Sequence, residues 1–123
     1  MINLILWLMA LLLVKHFLID FVWQTDAEVA NKGTYGNGVG IGHSIKHGLG
    51  TLIVLGWFTS SLELGILIAL VDSFIHYHVD WLKMNVNRHY GWGPQDRAFW
   101  VSLGLDQLAH GLTYVYLIYL MFN

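Results

Sequence analysis

Four stretches of this chain are apolar for about twenty residues, and each is interrupted by ionisable side chains four residues apart. The stretches cover about residues 2–24, 40–59, 62–84 and 98–122. Roughly twenty apolar helical residues cross the ~30 Å hydrocarbon core of a bilayer. The interruptions are His16 and Asp20, His43 and His47, Asp72, His76 and Asp80, and Asp106 and His110. Residues i and i+4 share one face of a helix, one turn apart. Each helix therefore carries a single polar stripe on an otherwise apolar surface. A charged side chain facing lipid costs about 2.5–3.5 kcal/mol on insertion scales, so the stripes have to face one another. These constraints predict an all-α, polytopic membrane four-helix bundle in one domain.

Composition closes off the soluble alternative. The chain is 56% hydrophobic and only 11% charged, against roughly 25% charged for soluble domains. Without cysteine it has neither disulfides nor thiolate metal sites. A net charge of −2 and no basic patch exclude a nucleic-acid partner. The N-terminus has no basic region before its apolar run, which continues past Lys15, so it is expected to be a retained helix rather than a signal peptide.

The connections fix the topology. Thr59-Ser60-Ser61 is short enough to force the second and third helices antiparallel, giving an up-down-up-down order. In the first long connection, Thr25-Asp26-Ala27-Glu28 fits a capping box. A short interfacial helix over about 26–32 is expected, ended by Gly33 in a left-handed conformation. Gly36, Gly38, Gly40 and Gly42 then make a pliable approach to the second helix, and Pro94 marks a turn in the other long connection. Lys15, Lys32, Lys46, Lys83, Arg88 and Arg97 lie on or near the side of the long connections. That places those connections in the cytoplasm and both termini outside. Lys46 and Lys83 read as snorkelling side chains. Trp23, Trp81, Trp92 and Trp100 at one end, and Trp7, Trp57 and Tyr119 at the other, suit interfacial belts.

Depth brings the stripes together. Counted from the short-connection side at 1.5 Å per residue, His16, His47, His76 and His110 all fall roughly 18–22 Å along their helices. Asp20, His43, Asp80 and Asp106 fall about one turn further on. The chain also repeats itself. His16-Phe17-Leu18-Ile19-Asp20-Phe21 matches His76-Tyr77-His78-Val79-Asp80-Trp81, and His43-x-x-x-His47-Gly48-Leu49 matches Asp106-x-x-x-His110-Gly111-Leu112. Two hairpins related by an axis along the membrane normal are implied. Asp72 has no counterpart in the first half, where Leu12 stands. His78 is off the stripe and His89 is expected in a loop.

Imidazoles and carboxylates without thiolate suit zinc, iron or manganese. With few basic residues expected near them, Asp20, Asp72, Asp80 and Asp106 call for compensating cations, and two divalent ions carry about their combined charge. The expected ligands are His16, Asp20, His43, His47, His76, Asp80, Asp106 and His110, with zinc as the first choice of metal. Asp72 or Asp80 is the candidate proton acceptor, and Gln24 and Gln107 are candidate supporting donors. The bland alternative is a helix–helix hydrogen-bond network without metal. Ser44 and Ser73 lie near the cluster but form no legible triad.

Lys15-His16-x-x-x-Asp20-Phe21-x-x-Gln24-Thr25 with Lys32, His43-x-x-x-His47, His76-x-x-x-Asp80-x-x-Lys83 and Asp106-Gln107-x-x-His110 together resemble a family of small bacterial and phage membrane proteins, domain of unknown function 3307. The chain is also loosely similar to membrane-bound metal-dependent hydrolases. The resemblance implies a bacterial inner-membrane protein and, by analogy, hydrolysis of a lipid-like ester, amide or phosphoester by metal-activated water. Two other classes are open: a di-iron or bis-histidine haem redox protein, and a metal or proton conductor or phage effector. A conductor of this size would need to form a homo-oligomer.

Overall fold

A computed structural model describes all 123 residues. The chain is helical throughout, in the order α1 (Ile2–Phe17), a π-helical turn (Leu18–Val22), α2 (Asp26–Asn31), α3 (Gly38–Leu55), α4 (Leu62–Tyr90) and α5 (Arg97–Phe122). The long helices pack in a ring, α1 against α3 and α5, and α4 against the same two. Leu8, Leu12, Leu55, Ile68, Tyr114, Leu117 and Ile118 fill the end of the ring near the short connection.

The interior is more polar than apolar. Sixteen of the buried residues are polar or charged and nine are hydrophobic. That inverts the usual soluble arrangement. Ile2–Val22 and Leu62–Tyr90 are long and apolar enough to cross a membrane, with mean hydropathies of 2.2 and 1.4. The helices α3 and α5 do not reach that apolarity. Five glycines, two histidines and Lys46 dilute α3, and Arg97, Asp106, Gln107 and His110 dilute α5.

Several boundaries differ from the sequence expectation. The first helix does not run evenly to residue 24. It widens into the π turn, closed by Trp23 N–H donating to Leu18 O at 2.8 Å. Asp20 lies on this turn and is buried, in keeping with the tendency of π segments to occur at functional sites. The second helix starts at Gly38, capped by the Asn37 side chain, and ends at Leu55. The third runs past residue 84 to Tyr90, so His89 is helical and exposed rather than in a loop. Gly91, at φ 66°, ends it in the left-handed conformation.

The capping box forms as expected. Glu28 N–H donates to Thr25 Oγ1 at 3.2 Å, and Thr25 N–H donates back to Glu28 Oε2 at 2.7 Å. Gly33 is not the left-handed stop; that conformation falls to Gly36, at φ 77°. Gly33 is needed for close packing, since a Cβ there would lie 2.7 Å from Met84 Cβ on α4.

Candidate metal centre

Four helices and the π turn deliver the polar stripes to one interior point. His16, Asp20, His43, His47, His76, Asp80, Asp106 and His110 are all buried. His76 is central. Its ring stacks between those of His47 and His110, with centroids at 3.5 and 4.1 Å. The His16 centroid is 4.9 Å from that of His110, and the His43 centroid is 5.0 Å from that of His47.

The Nε2 atoms of all five rings turn toward Asp20 and Asp80. Asp20 Oδ1 is 2.9 Å from His47, 3.0 Å from His43 and 3.6 Å from His76, while its Oδ2 is 3.3 Å from His16. Asp80 Oδ2 is 3.3 Å from both His76 and His43, while its Oδ1 is 3.2 Å from His110. Each carboxylate thus splits its oxygens between two sets of imidazoles. The splits match across the repeat. His47–Asp20 Oδ1 corresponds to His110–Asp80 Oδ1, and His16–Asp20 Oδ2 to His76–Asp80 Oδ2, both of the latter at 3.3 Å. His43 and Asp106 occupy the remaining equivalent positions, and Asp106 Oδ1 is 3.5 Å from His110 Nε2.

These separations suit ligation. Ligands about 2.0–2.1 Å from one ion stand roughly 3.3 Å apart in a tetrahedral shell. His43 and His76 bring two Nε2 atoms to 3.3 Å, a contact that needs a proton or a cation between the nitrogens. Asp106 Oδ1 is buried without a hydrogen-bond partner, and Asp80 Oδ2 has three nitrogens at 3.3 Å, none in hydrogen-bonding geometry. Three overlapping groups have the spacing of a metal site: Asp20, His43, His47 and His76; His16, His76 and His110; and Asp20, His76, Asp80 and His110. Buried His and Asp groups here can therefore hold a metal ion.

Asp72 stands apart from all three groups. Its Oδ2 accepts from Lys15 Nζ at 2.9 Å and from Thr51 Oγ1. Lys15 Nζ also donates to Tyr114 Oη at 3.2 Å and to the His47 carbonyl at 3.3 Å. Tyr114 Oη is in turn 2.9 Å from His16 Nδ1. This buried chain joins Asp72 to the far side of two cluster histidines. Asp80, the other candidate proton acceptor, is enclosed by histidines and by Lys32 Nζ at 3.3 Å. Asp106 is the most peripheral of the expected ligands, with Lys83 Nζ at 3.6 Å and the Gln107 amide donating at 3.1 Å.

The expected shortage of basic partners does not hold. Lys15 pairs with Asp72, Lys32 with Asp80 and Lys83 with Asp106. Only Asp20 has no lysine, so charge alone does not require two ions. Lys46 does not snorkel freely either, because it pairs with Glu28 at 2.6 Å. Burial alone would raise the Glu28 pKa, but the Lys46 ammonium and the Thr25 N–H outweigh it and hold the carboxyl below its usual range.

The lysines were the residues missed in the sequence. Lys32 reaches Asp80 because α2 folds over the cluster, and it also donates to Gln24 Oε1 at 2.9 Å. Lys15 could be inferred from the repeat, where Ile75 replaces it and Leu12 replaces Asp72. The two unmatched charges, three residues apart in register, point at each other across the halves. Gln24 and Gln107 do serve as supporting groups: Gln24 donates to the Asp20 carbonyl at 2.8 Å, and Gln107 Oε1 is 3.0 Å from His16 Nε2. His78 lies outside the cluster, 3.1 Å from Tyr35 Oη.

Fold and cluster together define an all-helical protein with a buried His/Asp centre able to hold metal. Within that class, the chain belongs to the DUF3307 family, described as a protein of unknown function, whose model matches residues 8–123. No curated protein and no solved structure matches it.

Proposed function

We propose that this chain is an intramembrane metal-dependent hydrolase with a two-ion centre. The observation that carries the proposal is the split of Asp20 and Asp80, each offering one oxygen to each of two repeat-related histidine sets. One ion would take His43, His47 and His76, and the other His16, His110 and Asp106, with both carboxylates shared. When bound, divalent ions lower the pKa of water toward neutrality and polarise a scissile carbonyl or phosphoryl group. Zinc is the expected metal, and iron or manganese fits the same donors.

The surrounding residues supply the rest. The Tyr114 hydroxyl, 2.9 Å from His16 Nδ1, fixes the ring whose Nε2 faces Gln107 Oε1 and the centre. Lys15 fixes that hydroxyl and the His47 backbone in place. Asp72 holds Lys15, a positioning role. Asp106, the most peripheral of these carboxylates, also borders the outer groove between α4 and α5, which puts it nearer to incoming water than Asp72 or Asp80.

The proposed setting is a bacterial inner membrane crossed by all four long helices, with the long connections cytoplasmic. Supporting it, every long helix turns large apolar side chains outward: Leu6 is 62% exposed, Ile53 70%, Leu70 63% and Leu105 61%. Lipid covers such a surface without cost, whereas water does not.

The test is turnover. Purified protein in mixed micelles should cleave a lipid-like ester, amide or phosphoester, lose activity with chelator and regain it with zinc, while His76→Ala stays inactive. Activity indifferent to chelator sinks the proposal. A redox centre is the second reading, favoured by the shared carboxylates, and iron absorption in the purified protein would select it. Conduction is disfavoured by the apolar plug below the cluster.

A further inference from the structure

On the outside of the ring, α4 and α5 leave a groove of about 740 Å³. Leu82, Val101 and Leu105 make its walls apolar, and its charged residues are Lys83, Arg97 and Asp106. Asp106 belongs to both places, since the carboxyl that borders the groove is also 3.5 Å from His110 Nε2. The groove therefore abuts the metal centre at its inner end.

Its outer end is cationic. Arg97 is the first residue of α5, is exposed and makes no ion pair. The N-cap residue, Asp96, turns its carboxylate to Gly93 N–H at 2.8 Å and makes no side-chain cap bond to α5. The uncapped first-turn amides add positive potential beside Arg97. Arg97 and Asp106 are nine residues apart on one helix, about 14 Å. A cation at the interface, an apolar trough and an inner carboxylate lie in that order.

We propose that this groove binds an anionic membrane phospholipid. Its phosphate would sit at Arg97, and an acyl chain would lie along Leu82, Val101 and Leu105. A guanidinium matches phosphate in a bidentate fashion that no apolar or zwitterionic surface reproduces. A zwitterionic headgroup brings its own cation beside Arg97 and loses that advantage. The trough faces outward, where Leu82 and Leu105 are 57% and 61% exposed, so its occupant arrives sideways from lipid. That this lipid is also the substrate rests on the hydrolase proposal; that it binds does not.

Native mass spectrometry of detergent-purified protein mixed with phosphatidylglycerol or phosphatidylcholine tests the site. Wild type should retain phosphatidylglycerol about tenfold better, the weight of one charge-assisted hydrogen bond. Arg97→Gln should remove the preference. Leu105→Trp, which fills the trough, should weaken both lipids while metal content stays at the wild-type level. Equal retention of the two lipids, or a preference that survives Arg97→Gln, overturns the lipid site. Metal content measured on the same samples separates the two proposals. Preference without metal keeps the lipid site and sinks the hydrolase, and metal without preference does the reverse.

Discussion

The two hairpins do the same thing at the centre and different things around it. Each brings a His-x-x-x-Asp pair and a second histidine, and each of those histidines meets the aspartate of its own hairpin, at 2.9 Å for His47–Asp20 and 3.2 Å for His110–Asp80. Beyond that ring the equivalence ends. Lys15 faces Ile75 in the alignment of halves, Leu12 faces Asp72, and Thr51 faces Tyr114. The four polar residues in these three unmatched pairs are not scattered. Lys15, Asp72, Thr51 and Tyr114 form one connected chain across the halves. The symmetric residues make the buried His/Asp cluster, and the asymmetric ones make its two sides chemically different.

The largest effect should come from the shared carboxylates. Asp20→Ala or Asp80→Ala should lower affinity for both ions well beyond the roughly 10–100-fold typical of losing a supporting partner, as read by metal titration. Loss of one ion only would show that the aspartates do not bridge. Lys15→Met comes next. It leaves Asp72 buried and unpaired, which should cost about 3–5 kcal/mol in thermal or denaturant stability. Restoring the pattern of the opposite half, Lys15→Ile with Asp72→Leu, should recover most of it. A double variant as unstable as the single would break the pairing.

Tyr114→Phe should cut metal affinity roughly 10–100-fold by freeing the His16 ring, whereas Thr51→Val, at the equivalent position, should leave affinity nearly unchanged. Equal effects would erase the distinction between the sides. The smallest contrast is in packing. A Cβ on Gly48 would overlap Ser73 Oγ and lie 2.7 Å from the Ala69 carbonyl, while Gly111 has open space. Gly48→Ala should cost about 1–3 kcal/mol. Gly111→Ala should be neutral or stabilising by up to about 1 kcal/mol. Matching unfolding midpoints for the two variants would contradict the close approach of α3 and α4.

The convergence of the stripes was readable in advance because helical periodicity and depth along a helix are both linear in sequence number. His16, His47, His76 and His110 share a depth by counting alone. What could not be counted was reach. A lysine side chain spans more than a helical turn, so Lys32 at the C-terminal end of α2 and Lys83 on α4 meet carboxylates on other elements that no spacing rule connects. The π turn at Asp20 was also hidden, since Leu18–Val22 contains no residue that distinguishes a wide turn from a regular one. Gly33 is ambiguous in sequence for a related reason. Glycine suits both a left-handed stop and a tight crossing, and only the position of Met84 decides between them.

The central claim is that two repeat-related sets of imidazoles share Asp20 and Asp80 around metal. Elemental analysis of protein purified without chelator, beside His47→Ala and His110→Ala, tests it most directly. About two divalent ions per chain are expected in wild type, falling to about one in each variant alike. Wild-type protein with no bound metal, or a stoichiometry that neither variant alters, would contradict it.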